Sequence, residues 1–90
     1  MKSKKEIIQS WMKNEEQHFL EKEFTFKSYL KNISFVNAIA FYANKLNHHP
    51  DLKISFNKCT VRITTHDAGH TITEKDIQLA QIIDELISDV

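Results

Sequence analysis

Apolar and polar residues alternate along two adjacent stretches in the second half of the chain. Alternation with a period of two is typical of half-buried strands. The pattern predicts a hairpin with a two-residue turn at Asn57-Lys58, in which Phe56 faces Cys59. In this register every apolar residue meets an apolar partner on one face. The alternating apolar positions are Leu52, Ile54 and Phe56 in the first stretch and Cys59, Val61 and Ile63 in the second.

Two other stretches have apolar residues at steps of three and four, which is the spacing of an amphipathic helix. The first covers residues 27–46 and predicts a helix of about five turns. It should end at Asn47, because Pro50 follows closely and the residue before a proline is pushed out of the helical region. The second stretch follows Thr73, which forms a capping-box pattern with Asp76 and predicts the start of a closing helix.

The first part of the chain has weaker patterns. Ser3 and Glu6 are spaced as a capping box, which predicts a short helix near residues 3–10. The apolar clusters that follow predict a hairpin with strands at about 11–15 and 18–26. Its turn has no clear marker in the sequence.

The predicted elements follow the order α-β-β-α-β-β-α. Each helix must bury one apolar stripe, so we expect an α+β fold with a four-stranded antiparallel sheet and the helices packed on one face. The chain contains one Gly and one Pro and shows no linker or internal repeat. A single domain over residues 1–90 is therefore expected.

Composition limits the possible partners. The chain has 90 residues, with 12 basic and 12 acidic side chains that cancel. No net charge therefore favours nucleic acid or an anionic membrane. Neither a signal peptide nor an apolar run of roughly 20 residues is present, and the single Cys59 cannot form an internal disulfide. We expect a cytoplasmic protein without a direct nucleic-acid or membrane partner.

A chain this short buries only about 60–65% of its unfolded surface, so self-association would help to stabilise it.

Histidines are the main candidates for chemistry. His48 and His49 precede the predicted hairpin, and His66 follows it. The predicted ladder, extended outward, places His49 opposite His66, with Cβ atoms roughly 5 Å apart. Imidazole is the side chain whose unperturbed pKa lies near neutrality. The cluster therefore predicts a site for proton transfer.

Other interpretations of these residues remain open. The histidine pair follows a helix end, where it could cap unpaired carbonyls. Three imidazoles could also bind zinc with one open position, although adjacent histidines seldom both point at one ion. Asp76 has a complete structural explanation as a helix cap, which does not prevent a role in a pocket. Cys59, on the apolar face, is better explained as a small buried hydrophobe than as a nucleophile.

Several segments together resemble one family, the pterin-4a-carbinolamine dehydratases. The likeness covers nearly the whole chain, and the spacing of histidine pair, aromatic residue, histidine and aspartate is specific. The segments are Trp11, Phe24-Thr25-Phe26-Lys27, Ala43-Asn44-Lys45-Leu46-Asn47-His48-His49-Pro50-Asp51, Phe56, Thr65-His66-Asp67-Ala68-Gly69 and Thr73-Glu74-Lys75-Asp76-Ile77-Gln78-Leu79-Ala80.

The resemblance implies an activity. It is the dehydration of a 4a-hydroxytetrahydropterin to the quinonoid dihydropterin, a step of tetrahydrobiopterin recycling that needs no cofactor and no metal. It implies His48 and His66 as the acid and base and His49 as a residue that orients the pterin. It also implies a homodimer or homotetramer. The residues it implies as substrate contacts are Asp51, Thr65, Asp67 and Asp76, the last of which could instead hold an imidazole.

The chain departs from the family pattern at three places. Asn44 stands where an acidic residue is usual, Leu52 replaces a common Trp, and the stretch 69–72 looks one residue longer. These departures suggest altered efficiency or substrate preference.

The same family also includes a dimerisation partner of a homeodomain transcription factor and proteins that assist assembly, so a non-catalytic binding role is the main alternative. A small metal-dependent hydrolase is a third.

Overall fold

Three strands and two helices form the part of the chain that the computed structural model describes, namely Glu6, Ser10, Trp11, residues 19–65 and residues 72–87. The α+β class is confirmed. In chain order the elements are β1 (Leu20–Thr25), α1 (Tyr29–Leu46), β2 (Asp51–Ile54), β3 (Lys58–Ile63) and α2 (Glu74–Ile87).

The sheet is antiparallel, with β3 in the centre and the strand order β1-β3-β2. Alternate residues of the strands point to opposite faces. One face carries buried apolar side chains that meet both helices, and the other carries charged side chains such as Glu21 and Arg62, which form an ion pair at 2.8 Å. The buried residues of the core are Trp11, Leu20, Phe24, Phe26, Phe35, Ile39, Cys59, Val61, Ile63, Ile77, Leu79, Ala80 and Ile83.

Both long helices lie close to where the apolar spacing predicts them. Helix α1 begins after Ser28, whose Oγ accepts a hydrogen bond from the Lys31 N–H, as an N-cap does. It ends at Leu46, one residue before the predicted end, and Asn47 is its C-cap. Helix α2 begins at Glu74, directly after Thr73, and its apolar stripe is buried. Within the described ranges, neither helix is long and apolar enough to cross a membrane.

The turn of the second hairpin was predicted wrongly. Leu52 pairs with Val61, so the register differs by two residues from the predicted one, and the loop is Phe56-Asn57. The Ser55 N–H donates to the Lys58 carbonyl at 2.9 Å and closes the turn. Because the shift is an even number of residues, the apolar side chains stay on the predicted face. Phe56 does not face Cys59 and is 70% exposed.

The cause of this register lies outside the hairpin. The buried Asn32 of α1 donates through Nδ2 to the carbonyls of Ser55 and Lys58, at 2.8 and 3.0 Å. The Phe26 N–H donates to the Asn57 carbonyl at 2.8 Å. These bonds come from residues more than 20 positions away. Local alternation could not reveal them.

The predicted first helix and first hairpin fall largely outside the described residues. Glu6 and Ser10 have helical backbone, but the rest of that predicted helix is not described. Trp11 lies in a bend and is fully buried, with Nε1 donating to Asp84 at 3.2 Å. Residues 12–15 of the predicted first strand are not described, and its partner is observed as β1. The described sheet thus has three strands, and the fourth strand stays a prediction.

Candidate active site

The end of α1 fixes the position of His48. Asn47 adopts a left-handed conformation, with φ 53° and ψ 43°, and its N–H donates to the Asn44 carbonyl. The His48 N–H donates to the Ala43 carbonyl at 3.0 Å. This pair of bonds is the Schellman motif, which reverses the chain after a helix. Asn tolerates the left-handed region better than most residues. The turn directs His48 back towards the protein, where it is only 9% exposed.

The His48 ring contacts one carboxylate. Its Nε2 lies 2.6 Å from Oδ1 of Asp76, in the first turn of α2. Asp76 is fully buried. A carboxylate away from water requires hydrogen-bond donors, and a charged donor or acceptor makes such bonds short and strong. The site therefore contains an imidazole held by a buried acid, although the two lie 28 residues apart in sequence.

The second oxygen of Asp76 receives three contacts. Oδ2 lies 2.7 Å from the Thr73 backbone nitrogen, 2.6 Å from Thr65 Oγ1 and 3.3 Å from Thr73 Oγ1. The bond from the Thr73 N–H is half of the predicted capping box. Asp76 is thus both a helix cap and the partner of His48.

The structure brings together three of the residues singled out from the sequence, namely His48, Thr65 and Asp76. His49 is exposed. Asp51 is exposed on the outer face of the sheet, opposite Arg62, and therefore lies away from this cluster. It lines an open depression of about 250 Å³ together with Glu21, Leu52, Lys53, Thr60 and Arg62.

His66 and Asp67, the other predicted site residues, lie outside the described residues. The predicted ladder placed His49 opposite His66, but the observed register, extended beyond Asp51, brings Thr65 level with His48 and Thr64 level with His49. The sequence predicts Thr73 only as a cap, whereas its side chain also contacts the buried carboxylate. The signal for it was available, because the capping box ties Thr73 to Asp76.

Two positions that depart from the family pattern are described. Asn44 is exposed on the last turn of α1, four residues before His48. Leu52 is half-buried and packs against the core, so its side chain contributes to the inner face of the sheet. Neither side chain takes part in the hydrogen bonds around Asp76.

The described residues also bear on metal ligation and on thiol chemistry. No three His, Cys, Asp or Glu side chains converge within residues 19–65 and 72–87 in a way that could hold a metal ion. Cys59 is fully buried, and burial raises the pKa of its thiol above the ordinary value because it disfavours the thiolate. A raised pKa does not suit a nucleophile at neutral pH.

Comparisons with known proteins agree with this architecture. Residues 1–86 match the family model described as pterin 4 alpha carbinolamine dehydratase. A relative in Aquifex aeolicus, provisionally named as such a dehydratase, is 50% identical over 72 residues, which are 80% of this chain and 72% of the relative. A relative in Thermosynechococcus vestitus with the same provisional name is 54% identical over 67 residues, covering 74% and 70% of the two chains.

Solved structures show the same fold. A crystal structure from Brucella melitensis, described as a transcriptional coactivator/pterin dehydratase, superposes with a TM-score of 0.84 at 28% identity and covers 92% of this chain and 87% of its own. A pterin dehydratase-like protein described as a RuBisCO assembly factor of the alpha-carboxysome gives a TM-score of 0.72 at 23% identity over 86% and 88% of the two chains. On the family match and these identities, the chain belongs to the pterin 4-alpha-carbinolamine dehydratase family.

Proposed function

We propose that this protein is a hydro-lyase that converts a 4a-hydroxytetrahydropterin to the quinonoid dihydropterin and water. The reaction breaks the bond between carbon 4a and its hydroxyl oxygen. An acid protonates the departing oxygen, a base removes a proton from a ring nitrogen, and the electrons left on that nitrogen form a double bond to carbon 4a. Positioned imidazoles suit both transfers, and one such group contributes about 10²- to 10⁴-fold to a rate.

The observation that carries this proposal is the 2.6 Å contact between His48 and the buried Asp76. A surface capping histidine has no need of a fully buried carboxylate. An imidazole oriented by a carboxylate is a recurring arrangement in acid and base catalysis, because the acid fixes the ring and stabilises its protonated form. Asp76 is itself held by donors on its other oxygen, which limits its rotation.

The remaining roles are part of the same proposal. His48 and His66 act as the acid and base pair, and the exposed His49 orients the pterin ring. Asp76 acts on His48. Asp51 is given no role in the pterin site, because it lies on the outer face of the sheet. The protein works without a cofactor and assembles as a homodimer or homotetramer, which analytical ultracentrifugation can test.

The experiment that tests the activity generates the carbinolamine enzymatically and follows the quinonoid dihydropterin by absorbance. We expect the wild type to exceed the spontaneous rate, and His48→Ala and His66→Ala each to lose about 10²- to 10⁴-fold. Asn37→Ala, on the exposed face of α1, is the control and should keep the wild-type rate. Circular dichroism checks folding. A wild-type rate equal to the spontaneous one would remove the enzyme proposal.

That result would favour the second candidate, a protein-assembly role. The solved relatives described as a coactivator and as an assembly factor support it. So does an exposed aromatic pair on this chain, Tyr29 and Phe56, which are 52% and 70% exposed with ring centroids 6.4 Å apart. Exposed aromatic side chains are enriched where proteins bind one another. A double Tyr29→Ser, Phe56→Ser variant should then lose partner binding without losing its fold.

A further inference from the structure

Two threonine hydroxyls form a chain that ends on Asp76. Thr65 Oγ1 lies 2.6 Å from Asp76 Oδ2 and 2.7 Å from Thr73 Oγ1. A hydroxyl has one proton to donate, and an ionised carboxylate can only accept. Thr65 therefore donates to Asp76. The Thr73 hydroxyl, whose own contact with Asp76 is long at 3.3 Å, then donates to Thr65.

These hydrogen bonds determine which partner each oxygen of Asp76 contacts. The Thr73 backbone N–H is a fixed donor, so Oδ2 must accept from it and from the Thr65 hydroxyl. Oδ1 is left for His48. An ionised carboxylate can only accept, so His48 Nε2 donates its proton to Oδ1. Among the described residues, Nδ1 of the same ring has no hydrogen-bond partner.

The geometry points to Thr65 as a positioning residue that acts on His48 through Asp76 and does not bind substrate. Its hydroxyl keeps the carboxylate in the orientation that anchors Nε2, and the ring then offers Nδ1 for proton transfer. The inference rests on the proposed dehydratase function as far as rates are concerned. The hydrogen-bond arrangement itself does not depend on that function. Thr65 thus has a different role from the substrate contact expected from the family resemblance.

Asp76→Asn provides a reference state. The Thr73 N–H cannot reverse, so the amide oxygen must take the place of Oδ2 and the amide NH2 group must face His48. Nε2 must then accept, which moves the ring proton to Nδ1. Nitrogen-15 spectra of histidine-labelled protein distinguish these two tautomers. The His48 signal is assigned by its loss in His48→Ala.

The test compares Thr65→Val, which removes the hydroxyl at nearly constant shape, with Thr65→Ser, which keeps it. The first readout is the proton on His48 Nε2, which should give a downfield, slowly exchanging resonance in the wild type and in Thr65→Ser. In Thr65→Val this resonance should be lost to exchange with water. The matched control is Thr60→Val on the outer face of β3, which should leave it unchanged. If Thr65→Val does not fold, Thr65→Cys keeps a weaker donor and should show an intermediate exchange rate.

The second readout separates positioning from binding. We expect Thr65→Val to lower kcat by about 10- to 100-fold, as loss of an outer hydrogen-bond partner commonly does, with KM changed by less than about twofold. Thr65→Ser should restore kcat. A protected Nε2 proton in Thr65→Val, or a loss confined to KM, would overturn the inference. Absence of dehydratase activity in the wild type would instead overturn the proposed function, and the proton spectra would still decide the role of Thr65.

Discussion

Asp76 and Asn32 are both fully buried polar side chains, yet their surroundings differ in kind. Asn32 donates both amide protons to backbone carbonyls of the β2–β3 turn, and its Oδ1 has no partner within the described part of the chain. Asp76 has both oxygens occupied, and one of its partners is the ring of His48. Asn32 is hydrogen-bonded to backbone carbonyls, which do not gain or lose protons. Asp76 is hydrogen-bonded to an imidazole, which can.

This difference separates a structural polar residue from a candidate catalytic one. A buried polar group is costly unless it is hydrogen-bonded, so burial alone does not reveal function. Asn32 serves the fold, because it closes a turn and tolerates one unpaired oxygen. Asp76 has donors arranged around it from three segments of the chain, and these donors leave one imidazole nitrogen available. The partners of a buried group therefore say more about its role than its burial does.

The largest expected effect is that of Asp76→Asn on catalysis. The substitution preserves shape but moves the His48 ring proton to Nδ1. This nitrogen is the one proposed for proton transfer, and it can then no longer accept a proton. We expect kcat/KM for the carbinolamine to fall by about 10²- to 10⁴-fold. The free energy of unfolding, measured in urea, gives the control for folding. If Asp76→Asn folds and keeps more than half of the wild-type rate, Asp76 is a cap and nothing more.

Asn32→Ala should give the opposite result, with lost stability and intact chemistry. The substitution leaves the Ser55 carbonyl without its Asn32 donor, at a cost of about 1–3 kcal/mol. The Lys58 carbonyl loses one donor but keeps the Ser55 N–H. Removal of the unpaired Oδ1 offsets part of this. We expect the free energy of unfolding to fall by about 1–3 kcal/mol and the rate per folded molecule to stay unchanged.

Asn37→Ala, on the exposed face of the same helix, is the matched control for Asn32→Ala. It should change the free energy of unfolding by less than about 0.5 kcal/mol, as exposed substitutions commonly do. A large loss of activity in Asn32→Ala, measured where the variant is folded, would show that the turn also supports the site.

The sequence predicted local structure well and long-range hydrogen bonds poorly. The spacing of apolar residues located both helices, and the Thr73–Asp76 capping box correctly joined a helix start to the candidate site. The hairpin register was wrong because Asn32, which anchors the turn, lies more than 20 residues away. Thr65 was singled out only by family resemblance. Its actual contacts follow from the register and the start of α2 together, which no local pattern contains.

Asn47 connects the helix that carries Asn32 to the site around Asp76, since it follows the end of α1 and sets the direction of His48. Its left-handed conformation costs a residue with a Cβ about 1–2 kcal/mol, and more for a β-branched residue. We expect Asn47→Val to lower the free energy of unfolding by about 1–2 kcal/mol relative to the wild type. Asn47→Gly should be neutral within about 0.5 kcal/mol, because glycine adopts this conformation freely. Equal stabilities for the two variants would show that the turn relaxes to another conformation.

The smallest expected effect is the pH dependence of stability that Cys59 contributes. Like Asn32 and Asp76 it is buried, but it is an ionisable group whose pKa is shifted by burial alone. Burial raises the pKa of its thiol above the ordinary value of 9.0. The neutral form is favoured in the folded state, so its contribution to stability is fully present below the ordinary pKa and is lost as the pH rises through the raised one. Between pH 9 and 10, the stability difference between wild type and Cys59→Ala should therefore shrink by at most about 1.4 kcal/mol. A difference that stays constant up to pH 10 would show that the thiol ionises equally in both states, as an exposed group would.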